Sequence, residues 1–131
     1  MRALRTPATA RAWLLLLGAI ATEVTGSLAL RAAVDHPGWY VVVVPAYVAA
    51  FAFLGAVLRA GMGLGVAYGV WGATGVALTA VLGAAVFGEP FTPVVAAGIV
   101  LIMAGVLVVE LGAQRAHRAR AAAAGEPGAV R

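Results

Sequence analysis

Residues 90–109 read PFTPVVAAGIVLIMAGVLVV and include no charged side chain. An α-helix of about 20 apolar residues is long enough to cross the hydrocarbon core of a bilayer. The apolar residues do not alternate with polar ones, as they would over the strands of about ten residues in a membrane β-barrel. The stretch therefore predicts a transmembrane helix.

Three other blocks of the chain are almost as free of charge. Residues 36–58 and 60–88 contain no Asp, Glu, Lys or Arg, and residues 12–30 contain only Glu23. We predict an all-α integral membrane protein whose four transmembrane helices lie at about 12–32, 39–59, 64–87 and 92–112. The remaining division is a membrane domain over 12–113, a basic N-terminal flank over 1–11 and a flexible, Ala- and Arg-rich tail over 114–131.

The composition excludes several other classes of protein. Of the 131 residues, 63% are hydrophobic, 11% are charged and none is cysteine. Soluble domains average about 45–50% apolar and about 25% charged residues. A soluble enzyme, a disordered protein and a disulfide-stapled module are therefore excluded. A membrane enzyme finds no support, because His36 and His117 fall in a predicted loop and in the tail, and for the same reason we predict no metal site.

The basic residues predict the orientation in the membrane. All nine are arginines, and eight of them lie in the termini or the second loop, which share one side of a four-span protein. Arg31 alone lies on the other side, so the positive-inside rule places both termini in the cytoplasm of a multi-pass cell-membrane protein. We expect these arginines to face anionic lipid and not nucleic acid. A basic flank before an apolar run is also typical of a signal peptide, but an acid within that run disfavours cleavage.

Glu23 is the charge that a membrane helix tolerates least. It lies eleven residues into the first predicted helix, about 16 Å deep and near the middle of the bilayer. Intramembrane acids commonly mark an ion or substrate pathway. Ala19, Gly26 and Ser27 lie at i−4, i+3 and i+4 and leave room beside the carboxyl group. We predict that Glu23 exchanges a proton for a cation; the alternative is a protonated Glu that only bonds a neighbouring helix.

Aromatic residues on the third helix fit a cation site. Tyr68 and Trp71 are three residues apart and share one helix face. Aromatic rings attract organic cations, and a carboxylate supplies the opposite charge. The alternative is anchoring at the membrane interface, which suits Trp and Tyr near span ends. Trp71 lies about seven residues into its helix, so the site is the favoured interpretation.

Small residues predict close helix packing. Gly61, Gly65 and Gly69 repeat every four residues, and Gly98 and Gly105 are seven residues apart on the fourth helix. Such residues let helices approach each other closely. Four helices around one acid do not easily enclose a substrate cavity. Many transporters form the substrate cavity between two structural repeats. A dimer is the simplest source of the second half.

Four segments resemble those of the small multidrug resistance family. Residues 18–26, GAIATEVTG, resemble its first-helix signature, and residues 67–75, AYGVWGATG, resemble its third-helix signature. Residues 98–106, GIVLIMAGV, are similar to its fourth-helix dimerisation segment. The sequence from Phe87 to Glu89 resembles its third loop. The resemblance covers about residues 12–113, the whole predicted membrane domain.

The resemblance implies an antiparallel dimer in a bacterial inner membrane that exports lipophilic cations in exchange for protons. Glu23 would bind proton and substrate in competition, and Tyr68 and Trp71 would line the site. Tyr47 matches the second-helix tyrosine, and Arg31 the basic residue that ends the first helix. No cofactor is implied, because the proton gradient supplies the energy. The dimer interface would comprise Gly98, Leu101, Ile102, Gly105 and Val106.

Departures from the family pattern leave alternatives open. Gly26 stands where the guanidinium-exporting branch carries Trp, which favours the quaternary-ammonium branch over a guanidinium or small-amine exporter. A non-transporting small membrane subunit is a further alternative. In the family, the loop between the second and third helices helps gate the site. Here that loop, from Gly61 to Gly65, lacks the family's proline. The uneven arginine distribution leaves both a homodimer and a heterodimer with an oppositely oriented paralogue open.

Overall fold

Four α-helices make up nearly all of the fold. The structure, a computed structural model, describes the backbone of residues 2–125 and the side chains of residues 10–125. The helices are α1 (Arg2–Ala33), α2 (Tyr40–Arg59), α3 (Leu64–Phe87) and α4 (Pro93–Gly125), with a short 3₁₀ turn at Pro37–Trp39. All four are long and apolar enough to cross a membrane, and no strand occurs over residues 2–125. The prediction of an all-α, four-span protein is confirmed.

The helices are separated by the Gly- and Pro-containing loops that the sequence predicted. Gly61 follows α2 with φ +95° and Gly88 follows α3 with φ +67°, in the left-handed region that favours glycine. Thr92 precedes α4, and its Oγ1 accepts a hydrogen bond from the Val95 backbone N at 3.3 Å. A side-chain cap of this kind satisfies an amide group that the first turn of a helix leaves free.

Two helices are longer than predicted. α1 begins at Arg2 and not near residue 12, and α4 continues to Gly125, so the predicted flexible tail is helical over residues 114–125. For α4 the reason is composition: residues 113–124 contain neither Gly nor Pro and are rich in Ala and Arg, which are strong helix formers. Gln114 Nε2 also donates to Glu110 Oε1 at 2.6 Å, one helical turn away. Residues 126–131 of the predicted tail lie outside the described residues.

α1 lies at the centre of the bundle. It packs extensively on α2 and also on α3, whereas α4 packs on α3 alone within the described part of the chain. The buried cluster joins α1, α2 and α3 and comprises Leu16, Ile20, Val24, Leu54, Val57 and Ala67. No residue of α4 is buried. Its apolar surface is therefore open over nearly its whole membrane-spanning length.

Arg31 ties the end of α1 to the loop between α3 and α4. Its Nε donates to Glu89 Oε1 at 2.6 Å, and one of its terminal nitrogens lies 3.3 Å from Asp35 Oδ2. The guanidinium group also lies over the Phe87 ring, 5.2 Å from its centre. These contacts hold α1 beside the end of α3, and so they fix the register of the two helices whose facing residues form the site described below.

Candidate functional site

The Glu23 carboxyl group lies against the backbone of α3. A Cβ atom added at Gly75 would lie 2.6 Å from Glu23 Oε2, closer than side chains approach each other. Gly75 is buried. Only glycine at this position of α3 therefore leaves room for the carboxyl group.

Two hydroxyl groups hold the other side of the carboxyl group. Ser27 Oγ donates to Glu23 Oε1 at 2.8 Å, one turn along α1. Tyr47 OH, on α2, lies 3.0 Å from Ser27 Oγ. The structure thus brings together three residues that the sequence analysis assigned to the site. Glu23 Oε2 is buried and has no hydrogen-bond partner among residues 10–125.

Aromatic rings lie one turn from this carboxyl group. Tyr68, Trp71 and Gly75 lie at i, i+3 and i+7 on α3 and share one face. The Tyr68 and Trp71 rings are 5.8 Å apart at an interplanar angle of 80°. The Tyr68 side chain is half exposed, and Trp71 is partly buried with an Nε1 that finds no acceptor among the described residues. Carboxyl group and rings thus form one surface of α1 and α3.

Phe51 is an aromatic neighbour that the sequence analysis missed. Its ring lies 6.0 Å from that of Trp71 at an angle of 63°, the edge-to-face geometry that aromatic pairs favour. Phe51 lies four residues after Tyr47, on the same face of α2. That spacing is the signal that could have identified it.

The two small residues near Glu23 lie in the packed interior. Ala19 has no exposed surface. Gly26 is buried, and a Cβ added there would lie 3.3 Å from the Tyr47 ring. In the protomer both residues therefore let helices pack closely, and Gly26 seats the tyrosine that bonds Ser27. Their contact with substrate stays a prediction.

The predicted dimer segment lies on the open helix. Leu101 and Ile102 are exposed, and a Cβ added at Gly98 or Gly105 would meet nothing within 4 Å in the described part of the chain. Val106 differs, because its Cγ1 would lie 3.1 Å from a Cβ added at Gly69 of α3. Val106 thus packs inside the protomer, and the interface role of all five residues stays a prediction.

The comparison with protein families decides the assignment of this bundle. A family model described as "Small Multidrug Resistance protein" matches residues 11–102. The chain belongs to the small multidrug resistance family. It is also 38% identical over 101 residues to a multidrug transporter of Pseudomonas aeruginosa, which covers 76% of this chain and 91% of that relative. The resemblance inferred from the motifs is confirmed.

The family match includes every residue placed at the site. Residues 11–102 contain α1 from Arg11 onwards, all of α2 and α3, and the first part of α4. This small multidrug resistance protein is therefore a multi-pass membrane protein with four spanning helices. The family and the relative are those of transporters, the class of function that the sequence predicted.

Proposed function

We propose that this protein is a proton-coupled antiporter that exports lipophilic quaternary ammonium cations across a bacterial inner membrane. The observation that carries the proposal is the Glu23 carboxyl group, which lies between α1 and α3. One oxygen is bound by Ser27, and the other is buried against Gly75 without a hydrogen-bond partner among residues 10–125. A buried polar atom without a hydrogen bond is unusual in native structures. A cation or a proton at that oxygen would satisfy it.

In the proposed mechanism, a proton and a cation compete for the Glu23 carboxyl group. Deprotonated Glu23 attracts a cation, and a quaternary ammonium group needs no hydrogen bond, only opposite charge and an apolar surface. The rings of Tyr68 and Trp71 supply that surface together with cation–π attraction. A proton arriving from the other side neutralises the carboxylate and releases the cation. Ser27 and Tyr47 hold the carboxyl group in position through both steps.

An antiparallel dimer completes the site in this proposal. Glu23 Oε2 and Trp71 Nε1 both lack partners within the described protomer, and the apolar surface of α4 is open. A second protomer that docks on α4 would cover that surface and enclose the face that carries Glu23. The two carboxyl groups would then share one cavity. Both a homodimer and a heterodimer with an oppositely oriented paralogue provide this arrangement.

Transport by purified protein in vesicles tests the function. With an imposed pH gradient, we expect accumulation of a quaternary ammonium dye on the acidic side, and little movement of guanidinium. Dissipating the gradient with a protonophore should abolish the accumulation. Gradient-driven movement of guanidinium without the dye would indicate the small-cation exporter instead. Movement of neither would favour a non-transporting subunit.

Trp71→Ala should weaken binding of an aromatic quaternary ammonium cation by about 3- to 30-fold, the range expected for one cation–π contact. Trp71→Phe, which keeps a ring beside Tyr68 and Phe51, should retain most of the affinity. Trp39→Ala is the control, because Trp39 is an exposed residue of the 3₁₀ turn. Isothermal titration calorimetry measures the affinity, because its signal does not depend on tryptophan fluorescence. Unchanged affinity in Trp71→Ala would give Trp71 a packing role only.

A further inference from the structure

A small cavity lies between α1 and α2, at the end of the bundle away from Arg31. Its volume is about 180 Å³, and its lining consists of Arg11, Ala56, Arg59 and Ala60. The two arginines come from different helices, and both are exposed. Ala56 and Ala60 are one turn apart at the end of α2, and their small side chains leave the space that the arginines border. We call this feature the dibasic cavity.

No carboxylate among residues 10–125 pairs with the charges of the dibasic cavity. Over residues 10–125 both ion pairs belong to Arg31, so neither Arg11 nor Arg59 has a carboxylate partner there. Arg59 lies in the last turn of α2, where a cation is favoured by the helix dipole. Arg11 lies inside α1, 9 residues after its first residue and 22 before its last, where the helix dipole contributes little. Two guanidinium groups beside one cavity are complementary to an anion.

The depth of the dibasic cavity in the membrane indicates which anion lies beside it. Arg11 immediately precedes residues 12–30, whose only charged side chain is Glu23, and Arg59 immediately follows the charge-free residues 36–58. Both arginines therefore lie at the edge of the hydrocarbon core, the depth at which lipid phosphate groups lie. Guanidinium groups bind phosphate through paired hydrogen bonds, and basic pockets between membrane helices bind anionic head groups.

We propose that the dibasic cavity binds the phosphate group of an anionic phospholipid and thereby joins the start of the spanning part of α1 to the end of α2. The neighbouring Ala12 is buried, which keeps this part of α1 in contact with the bundle. Arg11 is twelve residues before Glu23, about 18 Å along α1. The lipid site is therefore separate from the cation site, and it stands or falls independently of the transport function.

Lipid binding to the full chain in detergent tests the proposal. Native mass spectrometry and the thermal unfolding midpoint are followed with phosphatidylglycerol, phosphatidylcholine or inorganic phosphate. The wild type should retain phosphatidylglycerol in preference to phosphatidylcholine and unfold at a higher temperature with it. The double variant Arg11→Gln/Arg59→Gln should lose at least about tenfold in phosphatidylglycerol affinity, because both charged donors are gone.

Two further variants separate a site from general surface charge. Arg115→Gln/Arg118→Gln removes the same charge from the α4 extension and should keep the preference for phosphatidylglycerol. Arg11→Lys/Arg59→Lys keeps both charges without the paired donors and should bind phosphatidylglycerol at an intermediate affinity, which also covers failure of the Gln variant to fold. Equal losses in the Arg115/Arg118 control, or wild-type binding in both Arg11/Arg59 variants, would overturn the proposal. Stabilisation by inorganic phosphate as great as that by the lipid would overturn the assignment to a lipid.

Discussion

We expect Glu23→Gln to abolish the proposed proton-coupled cation export and to leave the four-helix fold intact. Gln keeps the size of the side chain and an oxygen that accepts the hydrogen bond from Ser27. It carries no charge to attract a cation, and its amide group does not ionise near neutral pH. The proton gradient therefore no longer drives cation movement, and dye accumulation in vesicles should fall to the level of empty vesicles.

Glu110→Gln is the matched control for this result. Glu110 is also a partly buried acid of a spanning helix, and its Oε2 likewise lacks a partner among residues 10–125. It lines a cavity with Gly63 and Val66 near the start of α3 and is not among the residues placed at the site, so its neutralisation should leave dye accumulation at the wild-type level. Glu23→Asp should keep some transport at a shifted pH optimum, since the shorter side chain carries the charge but places it farther from Gly75. Accumulation by Glu23→Gln at the wild-type rate would remove Glu23 from the mechanism.

Gly75→Ala should reduce the transport rate by roughly ten- to a hundredfold without unfolding the protein. The new Cβ would lie 2.6 Å from Glu23 Oε2, and ordinary contact begins at 3.4 Å, so the oxygen must move by about 0.8 Å. A displacement of about 1 Å at a reacting group has been enough to slow reactions about a hundredfold. The fold should survive because the atom that moves is the end of a flexible side chain, and Ala favours the helix more than Gly.

Gly72→Ala separates displacement of the carboxyl group from a general effect of Ala on α3. A Cβ at Gly72 would meet nothing within 4 Å in the described protomer, although the substitution and the helix are the same. Circular dichroism and thermal unfolding should show both variants folded, with reduced dye accumulation for Gly75→Ala alone. Wild-type transport by Gly75→Ala would mean that the carboxyl group does not work from its place beside α3.

The membrane fold could be predicted from charge alone, and α3 shows why. Its predicted bounds coincide with the structure, Leu64–Phe87, because glycines flank a block without charge. The start of α1 and the end of α4 were not predicted, because both extensions contain charged residues. The hydropathy that defined the spans carried no information about these charged extensions. Helix propensity predicts the Ala- and Arg-rich extension of α4, but not that of α1, which contains Pro7.

The contacts of the site could be predicted only in part. Glu23 was found because a carboxyl group at mid-span is costly, and Ser27 because it lies one turn away on the same helix. The pairing of Glu23 with Gly75, and of Trp71 with Phe51, depends on how each helix is rotated about its axis. α3 is apolar on every side, so no periodicity in its sequence defines that rotation. Only the packed bundle shows which glycine faces the acid.

Substrate-induced proton release tests the central claim most directly. Purified protein in weakly buffered detergent solution is mixed with a quaternary ammonium substrate, at a pH where part of the Glu23 population is protonated, and the change in pH is recorded. We predict that the wild type releases protons as the cation binds and that Glu23→Gln releases none. Equal proton release from both proteins would contradict the exchange of proton for cation at Glu23.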